Sequence, residues 1–166
     1  MTYDARPQTM GSWVFDLREG GKGGRLAAEV DLRGVLSDGV IRVGAIPFTL
    51  DREGLGRTYR LLFEGRALVR AEPQGMFSNR YDLAVEAAML RRGVPAGEQA
   101  RYTWTPLEFS GGKYELHAGR ERIGRVEKTA TFFRHYALQF DEQVPLALQA
   151  FCFALQLERF RRQSSG

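Results

Sequence analysis

Residues 143–163 read QVPLALQAFCFALQLERFRRQ, and almost nothing polar interrupts them before Glu158. The two-residue alternation of a half-buried strand is missing. As a helix, Val144, Leu146, Leu148, Phe151, Phe153, Leu155 and Leu157 point in nearly every direction. Glu142, Gln149, Gln156 and Gln163 recur every seven residues and form one narrow polar stripe. Pro145 fits only the first turn, where its missing N–H has no intrahelical partner. Arg159, Arg161 and Arg162 lie at the C-terminal end, where cations complement the helix dipole. A helix apolar nearly all round must be buried in protein or in lipid. Its apolar run, Val144–Leu157, spans 14 residues, against ~20 for a bilayer crossing. Each large side chain left in water would forfeit about 1.5–3 kcal/mol. The helix over 143–163 therefore needs a protein host, and the rest of the chain must supply it.

That remainder reads as strands. In RLAAEVDLR (25–33), Leu26, Ala28, Val30 and Leu32 alternate with Arg25, Glu29, Asp31 and Arg33. GVLSDGV (34–40) carries turn residues for a hairpin. VIRVGAIPFTL (40–50) changes phase beside Gly44 and Pro47, which predicts one strand with a bulge or sharp bend. Tyr59, Leu61 and Phe63 alternate, and so does the series Tyr81, Leu83, Val85, Ala87, Met89. A Gly/Pro-rich break, RRGVPAGEQ (91–99), precedes RYTWTPLEF, and a hairpin follows at KYELHA and RIGRVEK. Phe132, Tyr136, Leu138 and Phe140 close the series, with Arg134 the polar intruder. Turn signals about every ten residues predict an all-β barrel or sandwich. A helix of about 20 residues is ~30 Å long, and eight-residue strands span ~27 Å. The lengths predict one domain over 1–166: a closed antiparallel β-barrel of about 10–12 strands within 12–141, with helix 143–163 buried through its lumen.

Two stretches match each other without a gap. Residues 59–86 and 114–141 share Tyr59/Tyr114, Leu61/Leu116, Arg70/Arg125, Glu72/Glu127, Phe77/Phe132, Tyr81/Tyr136 and Leu83/Leu138 at an offset of 55. Each reads as two short strands, a linker and a third strand. Two such meanders can bury against each other what neither buries alone.

Bulk properties narrow the function without naming it. Apolar residues make up 43% and charged residues 27% of 166, which is the balance of a globular protein. The net charge is +4, and 21 of the 24 basic residues are Arg, a balance that permits anionic partners. One cysteine, Cys152, rules out an intrachain disulfide. No basic-then-apolar leader opens the chain, so the expected location is cytoplasmic or peripheral to a membrane, without a transmembrane segment.

No catalytic pattern is present. GGKGG (20–24) lacks the Lys-Ser/Thr ending and following helix of a phosphate loop. His117 and His135 have no Cys or His at ligand spacing, so no metal is expected. Cys152 sits between two phenylalanines with no cation beside it, an inert setting for a thiol. Tyr102, Trp104 and Phe109 could stack bases, but with no motif beside them nucleic acid is not the expected partner. The basic residues offer one candidate site: Arg120, Arg122, Arg125 and Lys128 cluster in sequence around one hairpin, with Arg91 and Arg92 in the mid-chain break. They are expected to hold an anionic ligand if they are not merely a solvated face with Glu115, Glu121 and Glu127.

KYELHAGRERIGRVEKT (113–129), the strand RHYALQFDEQ (134–143) and the helix VPLALQAFCFALQLERFRR (144–162) together resemble the tubby C-terminal-like superfamily. That group includes the LURP-one-related proteins and the phospholipid scramblases. The resemblance, over about 25–163, implies a barrel around a C-terminal helix and a non-enzymatic binding or scaffold module. Its implied partners are anionic lipid headgroups or a protein at the outer basic surface, and it implies no cofactor. The proline-rich arm, cysteine cluster and acidic calcium loop of scramblases are missing, so lipid scrambling is not expected. The alternative is a barrel with an open lumen that holds a small apolar ligand in the lipocalin manner, with or without enzymatic activity. The position of helix 143–163 separates the two.

Overall fold

The computed structural model describes residues 1–34, 38–90 and 99–164. Twelve antiparallel strands run up and down in chain order, each paired with its sequence neighbours. They are β1 (Thr2–Pro7), β2 (Val14–Glu19), β3 (Arg25–Asp31), β4 (Gly39–Val43), β5 (Ile46–Glu53) and β6 (Thr58–Phe63) in the first half. The second half holds β7 (Arg66–Pro73), β8 (Tyr81–Glu86), β9 (Gln99–Pro106), β10 (Lys113–Ala118), β11 (Glu121–Lys128) and β12 (Tyr136–Phe140). Pairing of β1 with β12 closes the barrel, and α1 (Leu146–Ser164) follows.

Three expectations are corrected at the level of single elements. Residues 40–50 are not one bent strand but parts of β4 and β5, joined by a tight turn at Gly44-Ala45. The φ of +60° at Gly44 is what the first corner of a two-residue hairpin turn requires. The strands begin at Thr2 rather than near residue 12, and β1 is the strand that seals the barrel. The 81–89 series ends as a strand at Glu86 and continues as a 3-10 turn, Ala87–Met89. Val35–Ser37 of the expected hairpin turn and residues 91–98 of the expected break, with Arg91 and Arg92, lie outside the described residues.

The matched stretches build equivalent meanders. A 55-residue shift places β6 on β10 and β7 on β11 end for end, and β8 and β12 start in step at Tyr81 and Tyr136. The register slips after Leu61 in the β6–β7 hairpin and after Leu116 in the β10–β11 hairpin. It slips again after Leu17 in the β2–β3 hairpin, so Phe15-x-Leu17 repeats Tyr59-x-Leu61 and Tyr114-x-Leu116 at a third position. A bulge raises local twist and bends its strand. Three bulges at like positions help a twelve-strand sheet curl until its edges meet.

Eight strands enclose little more than their own side chains. Twelve leave room for a helix of about 10–12 Å diameter, and α1 fills the lumen. Every residue from Ala147 to Arg159 is buried, so all faces of the helix meet barrel wall. At mid-height Phe153 meets Phe15 and Tyr136 edge-on, with ring centroids 5.4 and 5.1 Å away. Ala5 on β1, register partner of both Leu17 and Tyr136, is the small residue between them. The polar stripe is only half satisfied, through its donors: Gln149 Nε2 donates to Val144 O at 2.9 Å and Gln156 Nε2 to Gly111 O at 3.0 Å. Both Oε1 atoms are buried without a partner among the described residues. No described helix is long and apolar enough to cross a membrane.

Candidate functional site

In an up-and-down barrel, the loops that leave odd-numbered strands all lie at one end. Here they span 8–13, 32–38, 54–57, 74–80, 107–112 and 129–135. The opposite end carries the short connections 44–45, 64–65 and 119–120, the glycine turn 20–24, and the β8–β9 link. GGKGG is thus a hairpin turn between β2 and β3.

The long-loop rim concentrates exposed apolar residues. Met10, Leu55, Met76, Phe77, Phe109 and Phe132 are 81–99% exposed. Among the described residues no other large hydrophobic side chain is as exposed, and all six sit in rim loops. Leu107 and Phe133 add two half-exposed ones. The loops present these residues on closed turns. Ser12 N donates to Thr9 O at 3.0 Å, Ser78 N to Gly75 O at 3.1 Å and Gly111 N to Glu108 O at 3.1 Å. Met10, Met76, Phe77 and Phe109 therefore occupy turn corners, positions that Gly, Pro, Asn, Asp and Ser ordinarily dominate. Gln74 N to Arg80 O and Thr129 N to His135 O close the two equivalent loops at 2.9 and 2.8 Å, which places Phe77 and Phe132 alike. Phe132, read from the sequence as part of a strand face, is a loop tip.

Rim arginines stitch neighbouring loops together through carbonyl oxygens. Arg57 of the β5–β6 loop donates to Met76 O (3.0 Å) and Ser78 O of the β7–β8 loop. Arg134 of the β11–β12 loop reaches Ser12 O at 2.7 Å. From α1, Arg159 donates to Phe109 O (2.6 Å) and Tyr114 OH (3.1 Å), and Arg161 to Leu32 O and Gly34 O (2.7 and 2.6 Å). Gly111 holds a φ of +74°, the left-handed region that favours glycine, and the Arg159 guanidinium lies 2.8 Å from where a Cβ would stand. A carbonyl satisfies a guanidinium's N–H groups without cancelling its charge. The described rim loops hold Arg33, Arg57, Arg80 and Arg134 against Asp38 and Glu108, and the helix end adds Arg159, Arg161 and Arg162 against Glu158. The described residues of the connections at the other end hold Lys22 and Arg120 against Glu64, Asp141 and Glu142. Among the described residues, the rim is thus the more apolar and the more basic of the two ends.

The four residues singled out from the sequence are strung along one hairpin. Arg120 occupies the tight β10–β11 turn at the end away from the rim. Arg122 pairs with Glu115 at 3.2 Å, and Arg125 donates to Gln139 Oε1 at 2.8 Å. These two share a shallow recess of about 270 Å³ with Asp141. Lys128 stands six residues beyond Arg122 and three beyond Arg125 along β11, ~20 and ~10 Å at strand rise, beside Glu108 and Glu127 in a second recess of about 380 Å³. The structure brings Arg122 and Arg125 together, and places Arg120 and Lys128 apart from them. Gly124 between them is there for packing, since a Cβ would meet the Phe140 ring at 2.0 Å.

The buried thiol of the interior is unreactive. Burial pushes the Cys152 thiol far up, which leaves it without thiolate character. His117 Nε2 lies 3.0 Å from Glu115, and His135 stacks on Phe133. No group of three His, Cys, Asp or Glu among the described residues could hold a metal. Burial raises the phenols of Tyr59 and Tyr114 above 10.0 and lifts Tyr136 to about 12. The unfolded chain ionises near pH 10 while the folded protein resists, so stability is complete below pH 10 and falls between pH 10 and 12. At about 1.4 kcal/mol per pH unit, Tyr136 alone contributes a loss of about 2 kcal/mol by pH 12. Phenolate absorbance should rise in step with alkaline unfolding; ionisation of all six tyrosines near pH 10 in folded protein would contradict this.

No protein-family model matches the chain, and no curated protein matches it.

Proposed function

We propose that this protein is a non-enzymatic binding module that docks end-on, through its loop rim, against an anionic membrane surface. The carrying observation is that, among the described residues, the six most exposed large apolar side chains all stand in loops at one barrel end, four of them on turn corners, among arginines. Singly scattered exposed hydrophobics are ordinary, but a set gathered at one end marks an interaction surface. Magnitudes favour a lipid surface. Full burial is worth about 1.5–3 kcal/mol per side chain; half of that over six tips gives about 4–9 kcal/mol. Each arginine near an anionic surface adds about 1 kcal/mol, and a micromolar affinity needs only about 8 kcal/mol. Separate tips on a ring suit a fluid surface better than the packed core of a protein interface.

The barrel wound around a C-terminal helix supports the reading of a tubby-like, LURP-one-related scaffold, for which the working surface is outside. An apolar ligand in an open lumen is disfavoured because α1 occupies that space. The proposed location is peripheral to a membrane, on its cytoplasmic side.

Co-sedimentation with vesicles tests the proposal. Pelleting is expected with phosphatidylcholine vesicles containing phosphatidylserine and not with phosphatidylcholine alone. The triple variant Phe77→Ser, Phe109→Ser, Phe132→Ser should weaken it at least tenfold while melting like the parent, because these tips touch no core. Equal pelleting with both vesicles would remove the role of the arginines, and an unaffected triple variant would remove the role of the tips. No pelleting with either would point instead to a protein partner. Each outcome overturns the proposal.

A further inference from the structure

The structure assigns a second, smaller binding site within the rim: a recess between the end of α1 and the β1–β2 and β11–β12 loops, which we propose takes one anionic single-chain amphiphile as a monomer. The recess has a volume of about 580 Å³ and is lined by Gly11, Trp13, Arg134, Phe160, Gln163 and Ser164. That volume lies in the range that holds small-molecule ligands, whose sites are mostly apolar with a few placed polar groups. Trp13 and Phe160 supply the apolar walls, and both are only partly buried.

Arg134 is the single charged residue among the described residues of the lining. Its guanidinium carbon lies 4.7 Å from the Trp13 ring centroid and 5.3 Å from that of Phe15. Its Nη2 donates to Ser12 O at 2.7 Å. Ring faces and carbonyl hold the group in one orientation without neutralising it, and no carboxylate among the described residues pairs with it. An oriented, unneutralised guanidinium is suited to charge-assisted bonds with phosphate or carboxylate oxygens. An acidic head on Arg134 with an alkyl chain along Trp13 and Phe160 uses both the charged and the aromatic walls of the recess. A neutral amphiphile would leave the cation unused, and a bare anion would leave the aromatic walls in water.

Titration of the full chain with dodecyl phosphate, below the concentration at which it forms micelles, tests this directly. Trp13 is the reporter, because the other tryptophan, Trp104, is fully buried in the barrel. A saturable shift of Trp13 emission is expected with dodecyl phosphate, and none with inorganic phosphate or dodecyl maltoside at the same concentrations. Arg134→Gln should weaken the midpoint at least tenfold, and Arg134→Lys, which keeps the charge, should regain part of it; calorimetry on the same variants provides a readout free of the tryptophan. The triple variant at Phe77, Phe109 and Phe132 should bind dodecyl phosphate unchanged, so this site and bilayer docking stand or fall separately. No saturable shift, an equal midpoint with dodecyl maltoside or inorganic phosphate, an unchanged midpoint in Arg134→Gln, or equal losses in the Gln and Lys variants would overturn the assignment.

Discussion

A chain ending at residue 142 is expected not to fold into a soluble monomer. The five large helix side chains Leu148, Phe151, Phe153, Leu155 and Leu157 are at most 2% exposed. At about 1.5–3 kcal/mol each they contribute about 7–15 kcal/mol, as much as the whole stability of an ordinary domain. The loss is larger on the other side of the contact. Without α1 the inward faces of twelve strands, among them Phe15, Ile41, Leu50, Leu61 and Trp104, would line a water-filled tube. The sheet cannot shrink to close that void, because strand number and stagger set barrel diameter. Size-exclusion chromatography and circular dichroism of the truncated chain are the measurements. A monomer with a cooperative melt would show that the wall stands without its plug.

Phe153→Ala should be among the most destabilising single substitutions, at about 3–5 kcal/mol. For a chain of this size that corresponds to a drop in Tm of roughly 6–20 °C. Phe153 is fully buried and makes the two edge-on ring contacts with Phe15 and Tyr136. Cavity cost depends on how far the surroundings can relax. Here the walls are hydrogen-bonded strands on a closed circle, so collapse onto the gap is resisted and the upper part of the range applies. Denaturant unfolding of the variant decides it, and a loss below about 1.5 kcal/mol would mean that the barrel deforms to fill the space.

Periodicity made the strand assembly and the plug legible for direct physical reasons. Alternation marks a sheet face, and an all-round apolar helix has nowhere to go but inside. The 55-residue match was legible too, and it set matched strands in step to the residue at most ends. Other elements were hidden. TYDARP shows only Tyr3 and Ala5 as inward residues, too short a signal to read as the closing strand. Residues 40–50 looked like one bent strand because a two-residue turn occupies little more sequence than a bulge.

The candidate site was the least legible part. Arg120, Arg122, Arg125 and Lys128 are close in sequence, yet a strand sends them along ~20 Å of wall among acids and amides. The rim residues lie in loops scattered from Met10 to Phe133, and each is unremarkable alone. Arg134 was visible only as an intruder on an apolar face, when in fact it belongs to a loop and stacks on Trp13.

The sequence by itself determined that alternating strands must surround a helix apolar on all sides, since hydrophobic burial depends on local pattern and total area. Only the tertiary structure decided which residues meet at one end. Up-and-down closure brings every odd-to-even loop to the same rim, and that gathering depends on the parity and pairing of strands, not on any residue's neighbours in the chain.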